Sequence, residues 1–261
     1  MAKKKTTFDF LKDIRTLIGI GGLLLLAVLV MSAIDSRKGA RITGLAVTIN
    51  PLEGTSYMIQ NDEVKKIIYD GYRRDVEDLT VELLDIKVVE ELLEKEPFIA
   101  NADVFVNADD RLDVNIDQAH AAIRIMDEKG RSYYLTENVQ PFPISKHASA
   151  RVTVFTGAIK LFDGNVDSLS ATQKGVVEMM NILKENRFAQ KMIEQVHVRP
   201  NGEFLIQPKM GRFKFDLGQP MDLEDKIMRM ELAYKEVLPY QGWTTYKIID
   251  LSFDGLIRAQ K

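Results

Sequence analysis

Side-chain chemistry has few footholds in this sequence. Its three histidines, His120, His147 and His197, stand far apart. None falls in a His-x-x-x-His or Glu-x-x-His spacing that would set two metal ligands on one helix face. The chain has neither a Gly-x-Ser-x-Gly elbow nor a phosphate-binding loop. It has no cysteine, which excludes disulfides, thiolate metal sites, a cysteine nucleophile and a lipoprotein anchor. The acids Asp103, Asp109, Asp110, Asp113 and Asp117 lack the alternating ligands, glycine and distal glutamate of a calcium loop, and read as the solvated face of a hairpin. Met179, Met180 and Met192 read as core filler. The other carboxylates are scattered. These residues point to no catalytic set, no metal and no cofactor, and so to a protein that is not an enzyme.

The backbone offers more. Near the C-terminus, Tyr246, Ile248, Asp250 and Ser252 alternate with Lys247, Ile249, Leu251 and Phe253, the period of a strand. If that strand lies at a sheet edge, its unpaired N–H and C=O groups can accept a strand from another chain. If it lies inside the sheet, they cannot.

The elements that position this stretch begin with a membrane anchor. From Thr16 to Ile34 the chain carries no charge, and a helix of that length approaches the thickness of a bilayer's hydrocarbon core. A cleaved signal would want a shorter apolar core and an Ala-x-Ala-like site. Lys3, Lys4, Lys5, Lys12 and Arg15 precede the run, so the positive-inside bias keeps residues 1–15 cytoplasmic and translocates everything from Asp35 onward. The whole chain carries a formal charge of −3, and the part beyond the basic tail is more acidic still. Such a surface is a poor match for nucleic acid. At 46% hydrophobic and 28% charged residues, the remainder has the composition of a folded globular protein.

After a linker at 35–41, the pattern predicts a strand with Ile42, Leu45, Val47 and Ile49. A helix capped at Asn61 or Asp62 and ending at Gly71 follows, then a second helix from Asp85 to Pro97. Two strands come next, Ile99 to Val106 and one with Leu112, Val114 and Ile116, joined as a hairpin at Asn107 to Asp110. Short strands dominate from Ala119. Ser170 and Gln173 form a capping box for a helix with Val176, Val177, Met180 and Leu183 inside. A hairpin through Pro200, Asn201 and Gly202 joins Val196 and Val198 to Phe204 and Ile206. Phe213, Phe215 and Leu217 alternate as a strand. Asp222 reads as the cap of a helix that buries Leu223, Ile227, Met230, Tyr234 and Val237.

Several of these residues carry a family likeness. Leu92, Leu93, Glu96, Pro97, Phe98, Ile99, Ala102 and Val104, followed by Arg111 to Gln118, resemble the POTRA domain of the bacterial cell-division family FtsQ/DivIB. Ala121 stands where that pattern usually has proline. Gly130 to Ser145 and Arg151 to Gly157 resemble the start of the family's second, β-rich domain. Asp250 and Leu251 match its final strands, with Ser252 and Phe253 in place of Arg and Tyr, and Trp243 precedes them as in the Bacteroidota branch.

The resemblance implies an α+β chain in five parts: tail 1–15, single transmembrane helix 16–34, linker 35–41, POTRA domain 42–118 in the order β-α-α-β-β, and a β-rich domain with packed helices at 119–261. It implies an inner-membrane divisome scaffold whose periplasmic bulk recruits FtsB and FtsL by strand addition, with other divisome proteins meeting the POTRA domain. The partner-facing residues expected are Tyr246, Leu251, Phe253, Leu256 and Ile257. The rival reading is a POTRA-containing accessory of export or outer-membrane assembly, which would normally bring several repeats or a barrel.

Overall fold

The computed structural model describes residues 20–32, 39–52 and 57–261. A helix (α1) covers residues 20–32, with its side chains exposed. The ends of the expected span, 16–19 and 33–34, lie outside the described residues, as do the tail 1–15 and positions 35–38 of the linker. No helix among the described residues is long and apolar enough to cross a membrane.

The remainder is α+β and divides into two compact units. The first takes the described residues up to Thr48 with Asn61–Lys95 and Ala102–Ile116, and the second takes the described residues of Ile49–Gln60 with Glu96–Asn101 and Asp117–Lys261.

The order strand, helix, helix, strand, strand is present: β1 (Leu45–Asn50), α2 (Asn61–Tyr72), α3 (Ile86–Glu94), β2 (Ile99–Val106) and β3 (Leu112–Gln118). The strands form a sheet in the order β1-β3-β2. Within the first unit Val64, Ile68, Val89, Leu93, Leu112, Val114 and Ile116 are buried, matching the apolar periods of the helices and of β3. Asp85 starts α3 by accepting the Lys87 and Val88 N–H groups on its carboxylate, satisfying two donors of the first turn. Contrary to the sequence expectation, α2 continues through Gly71. A Cβ there would stand 2.4 Å from Leu92 Cδ1, so glycine serves the close approach of α3 and not a helix stop.

The second unit is built on a nine-stranded sheet of order β12-β11-β10-β9-β8-β7-β4-β5-β6. Its strands are β4 (Ile123–Asp127), β5 (Ser132–Leu135), β6 (Pro141–Pro143), β7 (Val154–Gly157), β8 (Ile193–Val198), β9 (Phe204–Pro208), β10 (Lys214–Gly218), β11 (Ile248–Asp250) and β12 (Arg258–Gln260). Strand β7 runs parallel to both β4 and β8, and β11 runs parallel to β10. At the end of β7, Gly157 has φ +99°, and a Cβ would fall 2.1 Å from the Val198 carbonyl oxygen. Only glycine lets the two parallel strands close there.

Alternate strand residues, among them Ile123, Ile125, Phe155, Val196, Val198, Phe204, Ile206, Phe215, Leu217, Ile249 and Leu251, share one core with the helices. Those helices are α4 (Ala171–Glu185), α5 (Arg187–Met192), α6 (Leu223–Leu232) and α7 (Leu238–Gln241). The Ser170 and Gln173 capping box is formed at α4. Asp222, expected to cap α6 with its side chain, does not: it stands in the left-handed region at φ 53° and makes no capping hydrogen bond. The four-three-four pattern from Leu223 to Tyr234 does face the core, while the helix widens into a π-helical turn over Ala233–Val237 before α7. Pro239, at the start of α7, has no N–H to give to the preceding turn.

Candidate functional site

The first corrections concern the terminal strand. The alternation from Tyr246 to Phe253 yields only a three-residue strand, β11, and β11 is not an edge. It pairs with β10 on one side, Lys214 N–H donating to Lys247 O at 3.0 Å and Leu251 N–H to Asp216 O at 2.7 Å. On the other side the chain folds back and β12 pairs with it antiparallel, Ile249 opposite Ala259. The molecule's own chain therefore covers the rim that the sequence pattern assigned to Tyr246 to Phe253, and the edge passes to Arg258–Gln260. All three residues of β12 are exposed, and no other described strand pairs with it. The Lys247 C=O and Leu251 N–H are spent on β10, while the Lys247 N–H donates to Gln260 O at 2.9 Å; alternation turns the backbone groups of Ile248 and Asp250 towards Arg258 and Gln260. Ala259 is left with its N–H and C=O on the outer rim.

The link between β11 and β12 is a shaped turn. Asp250 Oδ1 accepts the Ser252 N–H at 2.9 Å and the Ser252 hydroxyl at 2.6 Å, an Asx turn that breaks the strand after Leu251. Ser252 lies so close to Gly218 that a Cβ on the glycine would stand 2.8 Å from the Ser252 Cβ. Gly255, at φ +64°, then reverses the chain into β12. From α6, the buried guanidinium of Arg229 reaches this turn: Nη1 donates to Phe253 O at 2.7 Å and to Leu256 O at 2.6 Å, while Nε donates to Asp225 Oδ2 at 2.7 Å.

The residues expected to face a partner separate accordingly. Leu251 has no exposed surface and belongs to the core, so it cannot touch a partner; its side chain fixes β11 from within. Tyr246 and Ile257 are partly buried against that core. Phe253 is 46% and Leu256 57% exposed, both on the turn that feeds β12. Arg258 lies over the Phe253 ring, 4.7 Å from its centre, a cation–π contact at the lip of the rim. Sequence reasoning missed β12, whose Arg-Ala-Gln carries no apolar alternation, and Arg229, whose spacing from Asp225 looks like an ordinary surface pair.

The other side chains with chemical potential are used within the fold. His197 Nδ1 and Thr156 Oγ1 are 3.0 Å apart, and Gln195 Nε2 donates to Thr156 Oγ1 at 2.8 Å, a small network across β7 and β8. His147 Nδ1 lies 3.0 Å from Gln60 Nε2. Gln118, expected at the end of β3, accepts the Met58 N–H at 2.6 Å and donates to Asn50 O at 2.7 Å, holding residues around Asn50 and Met58 to the start of the β-rich part. Burial raises the proton affinity of Asp127, but the Arg131 side chain and backbone N–H and the Lys129 N–H outweigh it, leaving the carboxyl below its ordinary range. Burial alone drives Tyr234 far above a normal phenol; its hydroxyl donates to Met210 O at 2.6 Å. Among the described residues no group of three His, Asp or Glu side chains could hold a metal ion.

The fold and this edge define a mixed α+β protein whose largest sheet ends in an exposed strand with no strand on its outer side among the described residues. Compared with known families, the chain matches the model described as FtsQ/DivIB, C-terminal related, over residues 121–258. That stretch is just over half of the chain and holds every strand from β4 to β11; the protein belongs to this family, whose role lies in cell division. No curated protein matches the sequence.

Proposed function

We propose that this protein is a divisome scaffold, anchored in the inner membrane by residues 16–34 with its tail cytoplasmic and its bulk periplasmic. Residues 42–118 form a POTRA module, and the β-rich part captures FtsB, with FtsL as FtsB's coiled-coil partner, by strand addition. The observation that carries the reading is the rim of β12, where Ala259 turns its N–H and C=O away from β11 and the preceding turn carries exposed Phe253 and Leu256. A rim of this kind supplies hydrogen bonds to an incoming strand, and the two apolar side chains supply the pocket contacts that select it. Membership of the FtsQ/DivIB family supports the same reading. The scaffold performs no turnover; it gathers weak contacts at one membrane site, where each raises the effective concentration of the next.

The test is capture of the extramembrane part of FtsB by the full chain in detergent. Ala259→Pro removes the outward N–H without touching the ladder to β11, and capture is expected to weaken by about tenfold to a hundredfold. Undiminished capture by that variant, folded as judged by its melting curve, would sink the strand-addition reading. Depletion in cells is expected to give undivided filaments; envelope protein defects appearing first would favour a role in export.

A further inference from the structure

We infer that Arg229 is the positioning residue of the partner-binding rim, setting the 252–257 turn so that Phe253 and Leu256 face outward and β12 is delivered along β11. The inference rests on the strand-addition reading for its purpose, though not for its geometry. Arg229 is 6% exposed and sits on α6, yet it spends a single Nη on two carbonyls of the terminal turn and its Nε on Asp225. Those carbonyls, of Phe253 and Leu256, flank Gly255. The other hydrogen bonds that close the turn among the described residues are the local Asp250–Ser252 bonds and one long bond, Leu256 N–H to Phe253 O at 3.4 Å. Among the described residues no second charged donor reaches those two oxygens, so loss of the guanidinium loosens a tight turn through a left-handed glycine.

The demand is specific for arginine. A planar fork can hold a carboxylate on one edge and carbonyls on another at once, whereas a lysine ammonium acts as a single point charge. Burial adds weight, because a buried guanidinium left without its acceptors costs more than the bonds contribute when made. The neighbouring cation cannot substitute: Lys226 Nζ is already committed to Gln219 O at 2.8 Å. A turn held in one geometry before a partner arrives does not have to be ordered during binding, which is where affinity is usually lost.

The experiment compares wild type, Arg229→Lys and Asp225→Asn as full chains in detergent, by amide hydrogen exchange and by association kinetics with the extramembrane part of FtsB. Arg229→Lys keeps the charge and the reach to Asp225 while losing the fork. Expected is faster exchange by about tenfold or more across 251–260, unchanged protection in β8 and β9, and a slower association rate. Asp225→Asn is expected to move in the same direction by less. Unchanged exchange across 251–260 in Arg229→Lys, or protection lost equally throughout the sheet, overturns the inference. Locally faster exchange with unaltered capture leaves Arg229 as the fixer of the turn and overturns the strand-addition reading instead.

Discussion

The nine-stranded sheet has two edges, and they are made of opposite materials. At one end β6 reads Pro-Phe-Pro; at the other β12 reads Arg-Ala-Gln. Thr136 N–H donates to Gln140 O, and with Tyr134 opposite Phe142 the hydrogen-bonding phase turns Phe142 towards β5 and both prolines outward. The positions that would offer N–H groups to a passing strand therefore hold residues that have none. Phe142 is buried against Tyr134 and Met58, so its side chain is spent as well. At β12 the outward position is Ala259, with both backbone groups intact, and the preceding turn carries exposed Phe253 and Leu256. One edge is closed against pairing and the other is left able to pair, which is how a protein can offer a single docking strand without aggregating through both.

That contrast can be broken at either end. The largest effect is expected from Phe253→Lys combined with Leu256→Lys: FtsB capture by the full chain should weaken by roughly 100-fold, with an unchanged melting temperature. Ala259→Pro, which gives the open edge the chemistry of the closed one, should weaken capture by about tenfold to a hundredfold; light scattering or a pull-down titration reads both. Leu251→Ala acts from inside. It should cost about 2–5 kcal/mol of stability through the cavity it leaves, seen as a lower melting temperature, and reduce capture only in so far as β11 loosens. The reverse exchange, Pro141→Ala with Pro143→Ala, should open the second edge and raise concentration-dependent self-association a few-fold, measured by sedimentation.

The smallest effect is a pH dependence in the closed half. Asp127, in the β4–β5 hairpin, has its carboxyl held below the ordinary range by Arg131 and the Lys129 N–H against the opposing effect of burial. A group whose folded value is depressed contributes stability that is complete above its unfolded pKa, about 3.9, and is lost as pH falls through the folded value. The melting-temperature gap between wild type and Asp127→Asn should therefore be widest near neutrality and close in acid, while hydrogen exchange at β12 stays the same for both.

How much of this was legible depended on the kind of signal. Ser170 with Gln173, the strict alternation of Leu112, Val114 and Ile116, and the stripe of Leu223, Ile227 and Met230 are local patterns, and the structure uses them as written. Gly71 and Asp222 misled because each has two uses: Gly71 serves a close approach to Leu92, and Asp222 serves its backbone conformation and not its carboxylate. Pro141 and Pro143 carry no alternating strand signal, since proline supplies no ladder donor, yet at an edge proline is tolerated and β6 forms there. The site was legible only in outline. Phe253 and Leu256 lie on its exposed turn, but Leu251 had to be inside, since a strand flanked on both sides buries its core-facing residue completely. β12 and Arg229 are set by pairing and reach across the fold, which no short window of sequence contains.

The position of β7 has a kinetic consequence. This four-residue strand joins β4–β5–β6 to β8–β12, and its neighbours, Arg124 on one side and Gln195 on the other for Val154, come from widely separated parts of the chain. Each half pairs within its own stretch of chain, but the two join only through β7, so closure of the whole sheet must wait for distant segments to meet, a demand that slows folding. Joining the two halves should therefore be the slow step of assembly, later than the pairing of β12 with β11.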